Sequence, residues 1–417
     1  MSMRVSMARI SAAVAVGFLA WAGSPAFADE LRPLQPLLND AKPGSTLVLE
    51  PGRYRGPVVV DKPITLEGQG KATIDGGGRG TVLLVDTDGA TISGLHLVGS
   101  GTSHNDLDSG VQVRGKYNVI KDNLIEDALF GIDLQQSNNN IVRRNRISSK
   151  DIDLGMRGDA IRLWYSFDNR IIDNVVTNSR DIVIWYSRDN TISRNTASGG
   201  RYSMHFMYSQ YNLVEDNTFF DNSVGIFVMY SDGVVLRNNH IRNATGTTGV
   251  GIGFKETSDL IIENNQVLYC ANGLYIDVSP YQPDTVNLFK NNLVAYNGIG
   301  ISFLSDWHGN EFRDNQFKGN LTQVAVGGGG TATRHIWEGN HWDDYEGFDR
   351  DSDGIGDTPH EMHAYADRLW MDVPPAQFFK GSPLLEVLDF LERLAPFSPP
   401  KLLLRDAMPL TRLKGES

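Results

Sequence analysis

Cysteine is almost missing from this chain: Cys270 stands alone among 417 residues, which excludes an internal disulfide framework. Positive charge is also short. Against 50 Asp and Glu there are 38 Lys and Arg, for a formal net charge of −12, and such a surface repels a phosphate backbone, so nucleic-acid binding is set aside. Long apolar runs are missing beyond the N-terminus. The one there, Ile10 to Gly23, follows Arg4 and Arg9 and precedes Ala26-Phe27-Ala28; it is short for a membrane span and reads as a cleaved export signal over residues 1–28. A nucleophile elbow, a zinc-helix motif and a phosphate loop are all missing too. An exported chain without disulfides must draw its stability from packing, and Cys270, just before Asn272-Gly273, reads as a small buried hydrophobe.

What the chain has in quantity is repetition. GIDLQQSNNNIVRRN from Gly131, AIRLWYSFDNRIIDN from Ala160, DIVIWYSRDNTISRN from Asp181 and SMHFMYSQYNLVEDN from Ser203 share one template with the segments from Gly225 and Gly251. A Ser/Thr column (Ser137, Ser166, Ser187, Ser209, Ser231, Thr257, Ser279) and an Asn column (Asn145, Asn174, Asn195, Asn217, Asn239, Asn265) set the register. A period near ~22 residues built of short β-branched runs, Asn and Gly predicts an all-β, right-handed parallel β-helix. Asn at the turns tolerates left-handed backbone and can bond the peptides of the next coil. A short helix between Leu31 and about Ala41 is expected to cap the N-terminal end. The predicted organisation is a capped solenoid over 29–336, an irregular acidic segment over 337–381, and an amphipathic helix with an apolar tail over 382–417.

Within the first strand of each coil, alternation sends Ile132/Leu134, Ile161/Leu163, Ile182/Ile184, Met204/Phe206, Ile226/Val228, Ile252/Phe254 and Leu274/Ile276 inward. The outward columns read Asp133/Gln135, Arg162/Trp164, Val183/Trp185, His205/Met207, Phe227/Met229, Gly253/Lys255 and Tyr275/Asp277. An outward face should be polar, yet its middle is aromatic and sulfur-rich, which marks a binding surface. Met207 and Met229 fall in one column of adjacent coils, about 4.8 Å apart in backbone. With His205 they suit a soft ion, copper(I) above all. The same stretch also reads as a protein-docking patch carried by Trp164, Trp185 and Phe227, with methionine used for adaptable packing. The Tyr165, Tyr186, Tyr208, Tyr230 column reads as a stacked ladder along a coil edge.

Further along, Asp349, Asp351, Asp353 and Asp357 follow the spacing of a calcium loop, although His360 stands where an EF-hand needs Glu. His360, Met362 and His363 form a second soft-metal candidate. A rival reading is a carbohydrate enzyme, a polysaccharide lyase or hydrolase, which needs carboxylates within about 10 Å. Asp133 and Asp277 lie six coils apart, on the order of 29 Å, which leaves Asp159, Arg162 and Asp181 as the best cluster. Ser382-Pro383 starts a helix whose Leu384, Leu385, Val387, Leu388, Leu391 and Leu394 make a broad apolar face.

Taken together, the signal segment, the WYS and MYS coils, the block HWDDYEGFDRDSDGIGDTPH and the ending DRLWMDVPPAQFFKGSPLLEVLDFLERLAPFSPPKLLLRD resemble the NosD family over essentially the whole exported chain. The C-terminal block is the specific part; the coils are shared with many sugar-active proteins. The resemblance implies a periplasmic, copper-associated accessory protein rather than an enzyme. Its implied partners are the permease and ATPase subunits of an ABC-type transporter, a copper-donor lipoprotein, and nitrous-oxide reductase, whose copper-sulfide centre it would help assemble. Membrane association would run through the permease, with Leu384, Leu388 and Leu391 in a docking segment that extends to Leu410. The resemblance assigns no ligands; the choice of His205, Met207 and Met229 rests on column geometry.

Overall fold

The computed structural model describes residues 31–412 apart from 247, 367, 380, 381, 397 and 398, so the expected signal segment lies outside the described residues. The chain winds as a right-handed parallel β-helix. Strands of successive coils pair parallel and in register, and a twelve-stranded sheet running from Val58–Val60 to Thr322–Val326 carries the first strand of each coil. The apolar columns point inward as alternation requires. Ile132, Leu134, Leu163, Phe206, Val228 and Phe254 are fully buried, and Cys270 joins them, its thiol pushed up to about 11 by burial.

The turns explain the Asn column. Asn195 Oδ1 accepts from Asn174 N (3.0 Å) and Nδ2 (3.0 Å), while its own Nδ2 donates to Ile171 O (2.8 Å) and Asn217 Oδ1 (3.1 Å). Only a carboxamide offers an acceptor and two donors at once in a site this small. The same exchange passes from Asn123 to Asn340. In one respect the expectation needs correcting: the left-handed residue is the one before each Asn. Arg144, Asp173 and Arg194 have φ of 53°, 58° and 53°, which turns the chain so that the Asn side chain points back into the coil.

Both ends of the stack are closed. At the start the helix is Gln35–Asp40, and its Leu38, with the preceding Leu34, is buried on the first coil. At the far end the parallel strands continue to His341–Trp342, past the expected boundary at 336. Phe312 stacks on Trp337 (4.2 Å) and Phe317 on Trp342 (4.3 Å). Lys401–Asp406 then returns as a strand antiparallel to His360–Ala364, which buries Leu403 and Leu404. Its Asp406 completes the Asn run, accepting from Asn340 Nδ2 (2.8 Å), Asn340 N (3.2 Å) and Trp342 Nε1 (3.1 Å). The expected docking tail is thereby corrected in part, because its strand is the C-terminal cap. The helix Pro383–Leu394 behaves otherwise: Ser382 Oγ accepts from Leu385 N (3.4 Å), and no residue of the helix is buried.

Candidate metal centre

Two columns on the outer side of the twelve-stranded sheet carry the soft residues. One runs Gln112, Asp133, Arg162, Val183, His205, Phe227, Gly253, Tyr275; the other runs Gln135, Trp164, Trp185, Met207, Met229, Lys255. Within these two columns charge is confined to the two ends, while Asp181, paired with Arg180 and Arg201, lies beside them near His205. Arg162 Nη1 donates to Asp133 Oδ1 (2.9 Å), and Asp133 Oδ2 also accepts from Gln112 (3.1 Å) and Gln135 (2.7 Å). At the other end Lys255 Nζ lies 3.2 Å from Asp277. Between these closed pairs the columns hold Val183, Trp185, His205, Met207, Phe227 and Met229, none of which is charged by nature except through His205.

His205 is only 7 % exposed. It stacks on Tyr202 (4.8 Å between ring centroids) and meets Trp185 edge-on at 6.3 Å. Burial lowers its pKa to about 4, so the ring is neutral. Neither ring nitrogen has a hydrogen-bond partner among the described residues, an omission that costs about 1–3 kcal/mol per buried polar group. Beside it, Met207 and Met229 are direct partners in the ladder and half-buried. Two thioethers and a neutral imidazole with an unused lone pair fit a soft monovalent ion and suit a hard divalent one poorly.

The residue that sequence reading missed is Tyr202. Pairing shifts between Asp181↔Tyr202 and Val183↔His205, so this coil holds one extra residue there, and that bulge sets Tyr202 beside His205. The uneven spacing, 21 residues from Asp181 but 22 from Val183, was the available signal. Phe227, expected as an exposed docking contact, is instead buried with Val224 and Val250. A Cβ on Gly253 would stand 2.4 Å from the Phe227 ring; the glycine is the bed on which that ring lies. Trp164 and Trp185 do remain half-exposed. The tyrosine ladder stacks at 5.0, 5.2 and 4.9 Å.

The carboxylate cluster is regrouped. Asp159 Oδ1 accepts from Arg180 (2.7 Å), Asp181 accepts from Arg201 Nε (3.1 Å) and its Nη2, and Arg162 belongs to Asp133. Burial raises the Asp159 pKa to about 6. Arg180 Nε also stands 3.5 Å from Asp181 Oδ2, so the two acids share one guanidinium and form a closed cluster of ion pairs with Arg180 and Arg201.

In the C-terminal segment, ligand atoms of Asp349, Asp351 and Asp353 gather within 4.8 Å of one another. Asp357 is turned aside, where its Oδ2 accepts from Arg350 N (2.9 Å). His360, Met362 and His363 lie on a strand rather than in a loop and line an open groove of about 990 Å³. His360 stacks on Trp342 (5.2 Å), its Nε2 3.5 Å from Asp344.

A family model described as periplasmic copper-binding protein (NosD) matches residues 143–347, and one described as right handed beta helix region matches 70–179. Over 401 residues the chain is 29% identical to the probable ABC transporter binding protein NosD of Pseudomonas aeruginosa, covering 88% of each protein. It is 26% identical to the protein of the same name from Stutzerimonas stutzeri, covering 99% of this chain and 97% of that one. The chain belongs to the NosD family. The span matched by the NosD model contains His205, Met207 and Met229 and stops short of Asp349 and His360. Among solved structures, a mannuronan C-5 epimerase A-module from Azotobacter vinelandii superposes with a TM-score of 0.56 at 16% identity, covering 72% of this chain and 92% of that one. That likeness concerns the fold alone. No helix among the described residues is long and apolar enough to cross a membrane.

Proposed function

We propose that this NosD family member is a periplasmic accessory protein that holds copper(I) at His205, Met207 and Met229 and serves assembly of the copper-sulfide centre of nitrous-oxide reductase. The observation that carries this reading is His205: a buried, neutral imidazole without a hydrogen-bond partner among the described residues, next to paired thioethers, with the neighbouring charges closed in ion pairs of their own. Those three side chains would bind the ion as cargo, and the surrounding rings would keep water from it. The exposed helix Pro383–Leu394 docks on the permease of an ABC-type transporter, whose ATPase subunits drive it, while a copper-donor lipoprotein loads the site. The names of the relatives support the transporter association.

The test is an anaerobic copper(I) competition titration of the exported chain beside the Met207→Ala/Met229→Ala double variant. Tight one-to-one binding lost in the variant is expected. Binding retained in the variant moves the site to His360, Met362 and His363; no binding at all leaves a docking scaffold. In the same reading the Asp349, Asp351, Asp353 loop takes calcium. Millimolar calcium should then raise the melting temperature of the native chain and leave an Asp349→Asn/Asp351→Asn variant unmoved; equal response of the two would end that assignment.

A further inference from the structure

We propose that Trp185 is the fourth wall of the copper(I) site, presenting its indole ring to the ion where a fourth ligating atom would otherwise stand. The inference rests on the assignment of His205, Met207 and Met229 above and adds a residue and a chemical reason to it.

Three donors leave a monovalent ion open on one side, and the ladder dictates what fills that side. Trp185, Met207 and Met229 occupy consecutive rungs of one column. On the far side of Met229 the next rung is Lys255, whose ammonium repels a cation and is turned to Asp277 at 3.2 Å. On the near side of Met207 the next rung is Trp185, the side chain with the strongest attraction for a cation over its face. Trp185 also reaches His205 directly, their ring centroids 6.3 Å apart and their planes at 82°. The rung therefore offers a soft, uncharged surface where an oxygen or nitrogen donor would have favoured a hard ion.

Two further observations fit this role. The ring already lies within reach of one cation, the Arg162 guanidinium, 5.9 Å from its centroid, although that group sits closer to Trp164 (4.9 Å) and is closed on Asp133. The buried Nε1 of Trp185 has no hydrogen-bond partner among the described residues. An indole whose N–H is buried normally spends it on an acceptor; here the half-exposed ring of Trp185 lies against Trp164 and His205 without one, so what the residue offers is its π surface. Selectivity follows, because a strongly hydrated divalent ion gains little from exchanging water for a ring. Trp164, one coil further away in the same column, is the built-in control.

The experiment uses the exported full-length chain and copper(I) supplied anaerobically, with silver(I) as a redox-inert second probe. Tryptophan emission and near-ultraviolet absorbance are followed to one equivalent in wild type, Trp185→Phe, Trp185→Leu and Trp164→Phe. Expected are partial quenching and a new near-ultraviolet band in wild type and Trp164→Phe, both missing in Trp185→Phe. Affinity should fall roughly five- to thirty-fold in Trp185→Leu and less in Trp185→Phe, which keeps a weaker ring face. Trp185→Phe keeps the test valid should Trp185→Leu fold poorly. Quenching that survives in Trp185→Phe, or a Trp185→Phe and Trp185→Leu affinity equal to wild type, overturns the role of Trp185 while copper binding that still needs Met207 and Met229 stands. Binding indifferent to Met207 and Met229 overturns both.

Discussion

Two leucine-rich stretches close together in the sequence meet opposite fates. Pro383–Leu394 is a helix with Leu384 71 % and Leu394 68 % exposed, whereas Lys401–Asp406 is a strand with Leu404 fully buried. Both read as one apolar docking tail. The difference is what each meets. The strand faces the open end of a solenoid, where Asn340 and Trp342 present unpaired donors and the last coil presents unburied rings; the helix touches the core through Leu385 and leaves Leu384, Leu388, Leu391 and Leu394 exposed. Apolar composition identifies surface that must be covered, and it does not say by what.

Truncation after Pro400 should break this contrast most strongly. Without the strand, the end of the stack loses its cover and the donors of Asn340 and Trp342 lose Asp406; the chain should lose a cooperative thermal transition or aggregate, which scanning calorimetry reports. A deletion confined to 383–394 should by comparison melt normally.

Asp406→Ala should cost about 3–5 kcal/mol in urea unfolding, because it strands several buried donors at once. Leu404→Ala should cost about 2–5 kcal/mol. If either is as mild as a helix substitution, the strand is not a cap.

Acid should probe the same end of the molecule through His335, as it probes the middle of the solenoid through His205. His335 accepts from Asn310 N through Nδ1 (3.4 Å) and stacks on Phe303 (4.6 Å), and burial lowers its pKa to about 3. A buried histidine with a depressed pKa stabilises the fold fully above its unfolded value near 6.5. That contribution drains as pH falls toward 3, by up to about 1.4 kcal/mol per unit. His335→Asn, which can still accept from Asn310, should flatten the slope of stability between pH 6 and 4; an unchanged slope would assign the acid sensitivity elsewhere.

The smallest effect on stability is expected in the helix. Leu384→Ser with Leu391→Ser should shift unfolding by no more than about 0.5 kcal/mol each, yet abolish co-purification with the transporter permease. A large loss of stability, or capture that persists, would remove the helix from the docking surface.

The sequence by itself determined the solenoid, its register, the inward columns and the pairing of Met207 with Met229, because a parallel ladder repeats every coil and equal positions must stack. It also placed His205 on the soft face. Only the tertiary structure decided the rest. The bulge that brings Tyr202 onto His205, the glycine bed that buries Phe227, and the pairing of Arg162 with Asp133 rather than with Asp159 or Asp181 all depend on departures from the repeat or on side-chain reach across it. So does Asp406, separated by 66 residues from the Asn340 it satisfies. A period determines what lies next to what along the ladder; how side chains lean across it, and what closes its end, are determined by packing.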